Sequence, residues 1–142
     1  MGRGPFDRAA AWREMAYFAG HWALRGYGHW VLESKHGGEL VGRCGPQFPE
    51  GWPGLEVGWL LGRRHWGRGY ATEAAQAAID YAFSELRAER VISLIFPGNE
   101  RSVRVAERLG ARRDGTAVVF GHEVDVYAHD PLRWSSRRTG HR

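Results

Sequence analysis

Cysteine is nearly absent from this 142-residue chain: Cys44 stands alone. A single thiol forms no internal bridge and no zinc site, which predicts a reduced, cytoplasmic setting. Long hydrophobic runs are missing too. No stretch approaches the roughly 20 apolar residues that span a bilayer, and the opening MGRGPFDRAA has no apolar signal core, so neither a membrane protein nor a secretory leader is expected. The seven histidines contain no i, i+4 pair and there is no Cys-x-x-Cys, which predicts no metal. No serine lies in Gly-x-Ser-x-Gly, so a hydrolase elbow is unsupported. Lysine is reduced to Lys35 among twenty basic residues, a bias to which no mechanism attaches.

What the chain does have is the composition of one ordinary globular domain, with 43% hydrophobic, 25% charged and 13% aromatic residues. A chain of this size buries about 68–70% of its unfolded surface, enough for a core without staples. Its formal net charge of +4 resides at one end. The last ten residues carry Arg133, Arg137, Arg138 and Arg142 and no acid, and without them sixteen basic residues face sixteen acidic ones. Residues 1–132 therefore read as a neutral domain and 133–142 as a basic, disordered tail, with nucleic acid disfavoured as a partner.

The apolar spacing predicts a helix over 7–19, capped by Asp7, with Ala11, Met15 and Phe18 on one stripe. Strands follow at 29–34 and 39–44 around a turn at 35–38, then a Pro- and Gly-rich loop at 46–54 and a buried strand at 55–61. Residues 72–86 place Ala75, Ala78, Ile79 and Ala82 at helical spacing. A covered strand at 91–96, a short helix from Ser102 to Leu109 ended by Gly110, and strands at 117–120 and 124–129 complete a mixed α/β layer.

The chemistry concentrates between the strand at 55–61 and the helix at 72–86, in RRHWGRGYATEA. Gly67 and Gly69 open that helix, where bare backbone and unpaired N–H groups make an anion seat worth about 0.3–1 kcal/mol when exposed and up to ~2 when partly buried. Arg63, Arg64 and Arg68 add positive charge. A P-loop is excluded because no lysine follows the glycines. A dinucleotide site is disfavoured as well, because the next strand ends in Pro97-Gly98-Asn99 rather than in an acid.

Arg64-x-x-Gly67-x-Gly69-x-Ala71, followed by Asn99-x-x-Ser102 and VRVAERLGA, resembles the acyl-coenzyme A loop and the next block of the GNAT acetyltransferase superfamily. GHWALRGYGHWVLE and EGWPGLEVGWLL are similar to its branch of ribosomal-protein N-terminal acetyltransferases. The resemblance runs over about residues 7–130 and implies an α+β fold, a mixed, mostly antiparallel sheet that splays at its centre between flanking helices. It implies acetyl-coenzyme A as cosubstrate and an amine as acceptor. The pantetheine would lie along Trp59, Leu60 and Leu61, the pyrophosphate on Arg64, Trp66, Gly67, Arg68, Gly69, Tyr70 and Ala71, and Asn99 and Ser102 would flank the thioester arm. The implied reaction is direct transfer, with one group taking a proton from the amine and another returning one to the thiolate.

Glu56 is the leading base, acting directly or through water, because a carboxyl among Leu55, Val57 and Trp59 has reason to hold a raised pKa; the alternative is a strand residue facing solvent. The family's usual tyrosine position is Ala106 here, which leaves Ser102 or Tyr127 as the acid. Ser102 can equally be a helix cap and Tyr127 a core aromatic. Trp52 is a packing residue that can wall an acceptor pocket. Family members usually begin with a strand before the matched segment, so an open sheet edge is expected, covered in a homodimer or left bare in a short soluble variant. Against the transferase stands a non-catalytic acyl-coenzyme A-binding module.

Overall fold

The computed structural model describes residues 7–139. The chain begins with helix α1 (Arg8–Arg25), where the Asp7 carboxylate accepts from the Ala10 N–H at 2.7 Å, and ends it at the left-handed Gly26. The helix runs six residues past the expected end because nothing before Gly26 stops it. Its inward stripe is also displaced: Tyr17, Phe18 and His21 turn toward the sheet, while Met15 is 70% exposed.

Six strands form one sheet: β1 (Trp30–Glu33), β2 (Leu40–Gln47), β3 (Glu56–Leu61), β4 (Val91–Ile95), β5 (Arg112–Val119) and β6 (His122–His129), in the order β1-β2-β3-β4-β6-β5. Every neighbour is antiparallel except β3 and β4. β2 continues through Pro46, which the sequence places in a loop. Pro46 pairs with Val57 across β2–β3 and lies past the end of β1, whose first partner is Cys44, so its missing N–H costs no ladder bond.

Helices α2 (Tyr70–Ser84) and α3 (Glu100–Arg108) join the other elements along the chain. The main core gathers Ala75, Ala78, Ile79 and Ala82 of α2 against Cys44, Val57 and Val91 of the sheet, with Leu109 beside them. Burial holds the Cys44 thiol up at about 12, an inert apolar filler as expected. The α1 residues meet the sheet through another set: the Tyr17 hydroxyl donates to Gln47 Oε1, and Phe18 stacks on His29.

Part of the expected tail is folded. Residues 131–139 form helix α4 (Pro131–Thr139), whose start is fixed by the Asp130 carboxylate accepting from Leu132 N–H and by Pro131 in the first turn. Trp134 is 6% exposed, joins the main core beside Phe83, and its indole N–H donates to Asp80 of α2. An arginine count does not register one buried tryptophan. Residues 140–142 of that tail lie outside the described residues.

Candidate active site

β3 and β4 are paired at one position only, Glu56 with Ile92. The Ile92 N–H donates to the Leu55 carbonyl, and the next rung of a parallel ladder would join the Leu94 N–H to the Val57 carbonyl. Side chains take both ends of that rung. Leu94 N–H donates to Glu56 Oε2 at 3.0 Å, and the Ser93 hydroxyl donates to the Val57 carbonyl at 2.7 Å. Beyond this point the strands part, and a cleft of about 920 Å³ opens between them. That is near the top of the range of about 300–1,000 Å³ found for ligand sites.

Along β3 the peptide groups of odd-numbered residues turn toward β4, since Val57 bonds there and Gly62 N–H instead bonds back to Val41. Trp59 therefore presents its main chain to the cleft, and the Leu61 carbonyl accepts from the Trp66 indole at 3.1 Å. Leu60 and Leu61 line the same wall. At the cleft's far end the backbone is left-handed at Gly67 (φ 77°) and at Gly69 (φ 78°), and a Cβ on either would meet nothing within 4 Å. No side chain caps α2, so the N–H groups of Tyr70, Ala71 and Thr72 open on the cleft they line. A cradle of bare, donor-rich backbone fits a diphosphate.

Two of the expected cofactor residues need correction. Arg64 pairs with Glu39 and, like Arg68, is not among the residues lining the cleft. The positive charge comes instead from Arg101, Arg104 and Arg108 on α3. Arg101 also lies over the Trp66 ring, 4.5 Å from its centroid. Their spacing, i, i+3 and i+7, is the signal that marks one face of a helix. Asn99 and Ser102 line the cleft as expected, but the cap of α3 is Asn99, whose side chain accepts from the Ser102 N–H at 3.3 Å. The Ser102 hydroxyl is thus not the cap. Tyr127 is 8% exposed in an apolar cluster with Ile95, Ala106 and Ala111 and does not line the cleft, so it is not brought to the site.

Glu56 is 3% exposed, which removes the solvent-facing alternative. Its Oε1 accepts from Gln47 Nε2 at 2.8 Å and from the Trp52 indole at 3.1 Å, while Oε2 holds Leu94 N–H. Burial pushes its pKa up, and these three donors and the Arg43 charge pull against that rise. Trp52 is therefore a partner of the carboxylate as well as packing. Behind it Arg43 is paired with Glu14 at 2.9 Å. Among the described residues no group of three histidine, cysteine or acidic side chains could hold a metal ion. Nor is any described helix long and apolar enough to cross a membrane.

A parallel strand pair that parts beside a buried carboxylate, facing a backbone anion cradle, defines the class: an α+β domain of the acyltransferase type. The family model described as an acetyltransferase (GNAT) domain matches residues 1–112. The chain belongs to the GNAT acetyltransferase family. It is 43% identical over 107 residues to the uncharacterized protein YkkB of Bacillus subtilis (strain 168), covering 72% of this chain and 62% of YkkB. It thus spans somewhat less than two thirds of that relative. The uncharacterized N-acetyltransferase p20 of Bacillus licheniformis is 30% identical over 135 residues, 91% of this chain and 76% of its own. Among solved structures, an acetyltransferase from Agrobacterium tumefaciens str. C58 superposes with a TM-score of 0.78 at 35% identity, covering 89% of this chain and 74% of that one.

Proposed function

We propose that this chain moves an acetyl group from acetyl-coenzyme A directly to a primary amine, on a protein N-terminus or a small molecule. One observation carries the reading: the buried carboxylate of Glu56 stands where the central strands part, at the head of a cleft whose other end is an anion cradle. When bound, the coenzyme supplies an activated acyl thioester. The main chain from Gly67 to Ala71, with Arg101 and Arg104, holds its phosphates, and Trp66 walls that end. Trp59 and Leu61 offer peptide groups to the pantetheine arm, Leu60 packs on it, and Asn99 and Ser102 flank it.

Glu56 takes the proton released as the amine attacks. A base with a raised pKa is matched to that task. A free α-amine of pKa near 8 is neutral often enough at pH 7 that deprotonation costs about 1.4 kcal/mol, whereas a lysine amine near 10.4 costs about 4.6. The Ser102 hydroxyl, on the cleft wall, donates to the departing thiolate. The β1 edge, where Val31 is 70% exposed and Leu40 at the start of β2 is 67% exposed, supports a homodimer joined there. Sedimentation at micromolar concentration tests that part.

The main test is thiol release from acetyl-coenzyme A across a panel of α-amines and alkyl amines. Turnover with at least one amine, lost in Glu56→Gln while coenzyme affinity stays within threefold, is the expected result. Affinity without turnover on any amine would make the chain a binding module.

A further inference from the structure

His29 is a second polar group at the head of the cleft, and its chemistry is fixed by its neighbours. The antiparallel register sets Gly45 opposite Gly58, with His29, the residue just before β1, alongside Gly45. Neither glycine has a side chain to fill that row, and the imidazole reaches across it. A Cβ on Gly58 would sit 3.5 Å from His29 Cε1 and 3.5 Å from Glu56 Oε2. The ring and the carboxylate therefore flank one point above bare backbone, and both line the cleft.

The ring has a single protonation state. Arg43 Nη1 lies 3.1 Å from His29 Nδ1, and a guanidinium has only donors, so Nδ1 is the acceptor and the proton sits on Nε2. Burial, the Arg43 charge and His21 hold its pKa down at about 3, so it stays neutral at pH 7. Phe18 stacks on the ring at 4.5 Å, and Glu14 holds Arg43 in place. His29 is 8% exposed, and Nε2 has no hydrogen-bond partner. A buried donor without an acceptor is a cost to the fold. So held, it is positioned to serve a ligand.

We propose that His29 is a specificity-determining residue, donating its Nε2–H to an oxygen of the acceptor and so selecting amines that carry an accepting oxygen on the second carbon from nitrogen. This rests on the transferase reading above. With the amine nitrogen on Glu56, the next atoms of the acceptor lie over Gly58 and the oxygen falls to His29. A purely hydrocarbon amine leaves Nε2–H unpaired.

The test uses 2-methoxyethylamine and n-butylamine, which differ by one oxygen in place of one methylene. The intact chain is expected to favour the ether amine in kcat/KM by about tenfold more than His29→Asn does. Comparing ratios cancels the intrinsic difference in amine basicity. Asn keeps an acceptor for Arg43 but not the reach of Nε2, whereas His29→Gln restores a donor at that reach and should recover part of the preference. Acetyl-coenzyme A affinity should be unchanged in both variants.

Nitrogen-15 spectra of labelled histidines, assigned with His29→Gln, should show His29 as the neutral Nε2–H form at pH 7. Equal loss on both amines in His29→Asn, an Nδ1–H tautomer or an imidazolium would overturn the inference while leaving the transferase intact. Coenzyme binding with no amine acetylated would instead remove the transferase reading, and this inference with it.

Discussion

At the α2 end of the cleft the ligand-facing surface is main chain, turned outward by Gly67 and Gly69, whereas at the α1 end it is a set of interlocked side chains around Glu56. The first end depends chiefly on backbone conformation. The second depends on every donor being present, since a carboxyl at 3% exposure has only Gln47, Trp52 and Leu94 N–H to replace the water it has lost. On the function proposed above, the main-chain end would take the cosubstrate and the side-chain end the acceptor.

The largest effect should come from the side-chain end. Glu56→Gln is expected to lower kcat by 10²–10⁴-fold. It should also cost about 1–3 kcal/mol in urea unfolding, because the new NH₂ must face one of three donors. Coenzyme affinity by calorimetry should hold within threefold. A comparable loss of coenzyme binding would erase the division between the two ends.

Next comes the backbone end. Gly69→Val forces a β-branched residue to φ 78°, a conformation that costs about 1–2 kcal/mol even without branching. It should also put methyl groups where phosphate approaches, so acetyl-coenzyme A should bind about 10²-fold more weakly. A variant that keeps affinity would mean that the cradle is not used.

The pH dependence separates two buried groups at the same end. Glu56 has a folded pKa above its unfolded value, near 4.3, so the folded state is favoured more below that value and stability falls as pH rises through the folded pKa. His29 goes the other way. With a folded pKa of about 3 against an unfolded value near 6.5, its contribution is full above that value and is lost as pH falls toward 3. Urea midpoints from pH 4 to 8 should therefore lose part of their fall with rising pH in Glu56→Gln and part of their acid-side fall in His29→Gln. Unchanged profiles would show that neither group is as buried in solution as in the fold.

The smallest effect is expected on α3. Arg101→Ala should weaken acetyl-coenzyme A binding by about three- to tenfold, with most of the difference vanishing at high salt, because the contact is exposed and electrostatic. Arg68→Ala, off the cleft, should do less.

How much was legible follows from range. The helix at α2 and its two glycines are written within twenty consecutive residues, and local spacing sufficed to find them. The apolar neighbours of Glu56 point to it as base, but its three donors come from β2, a loop and β4, and nothing in EVGWLL announces them. For Tyr127 the sequence leaves acid and core aromatic open; it packs against Ala106, since its direction is set by β4–β6 pairing and not by its own segment. Arg101, Arg104 and Arg108 were readable as a stripe but carried no sign of which wall they face. Trp134 inside a run of arginines reads as tail, because its partners Asp80 and Phe83 lie some fifty residues away in the chain.

The sequence alone determined the six strands and the first three helices, the neutral domain with its charge at one end, and the bare turn that begins α2, because each is governed by neighbours within a few positions. Only the tertiary structure decided that β3 and β4 part after a single pair, that Glu56 closes the last rung with its side chain, and that Arg43 fixes the proton of His29. Those are contacts between strands distant in the chain. A one-residue change of register would have turned each of these side chains to the opposite face.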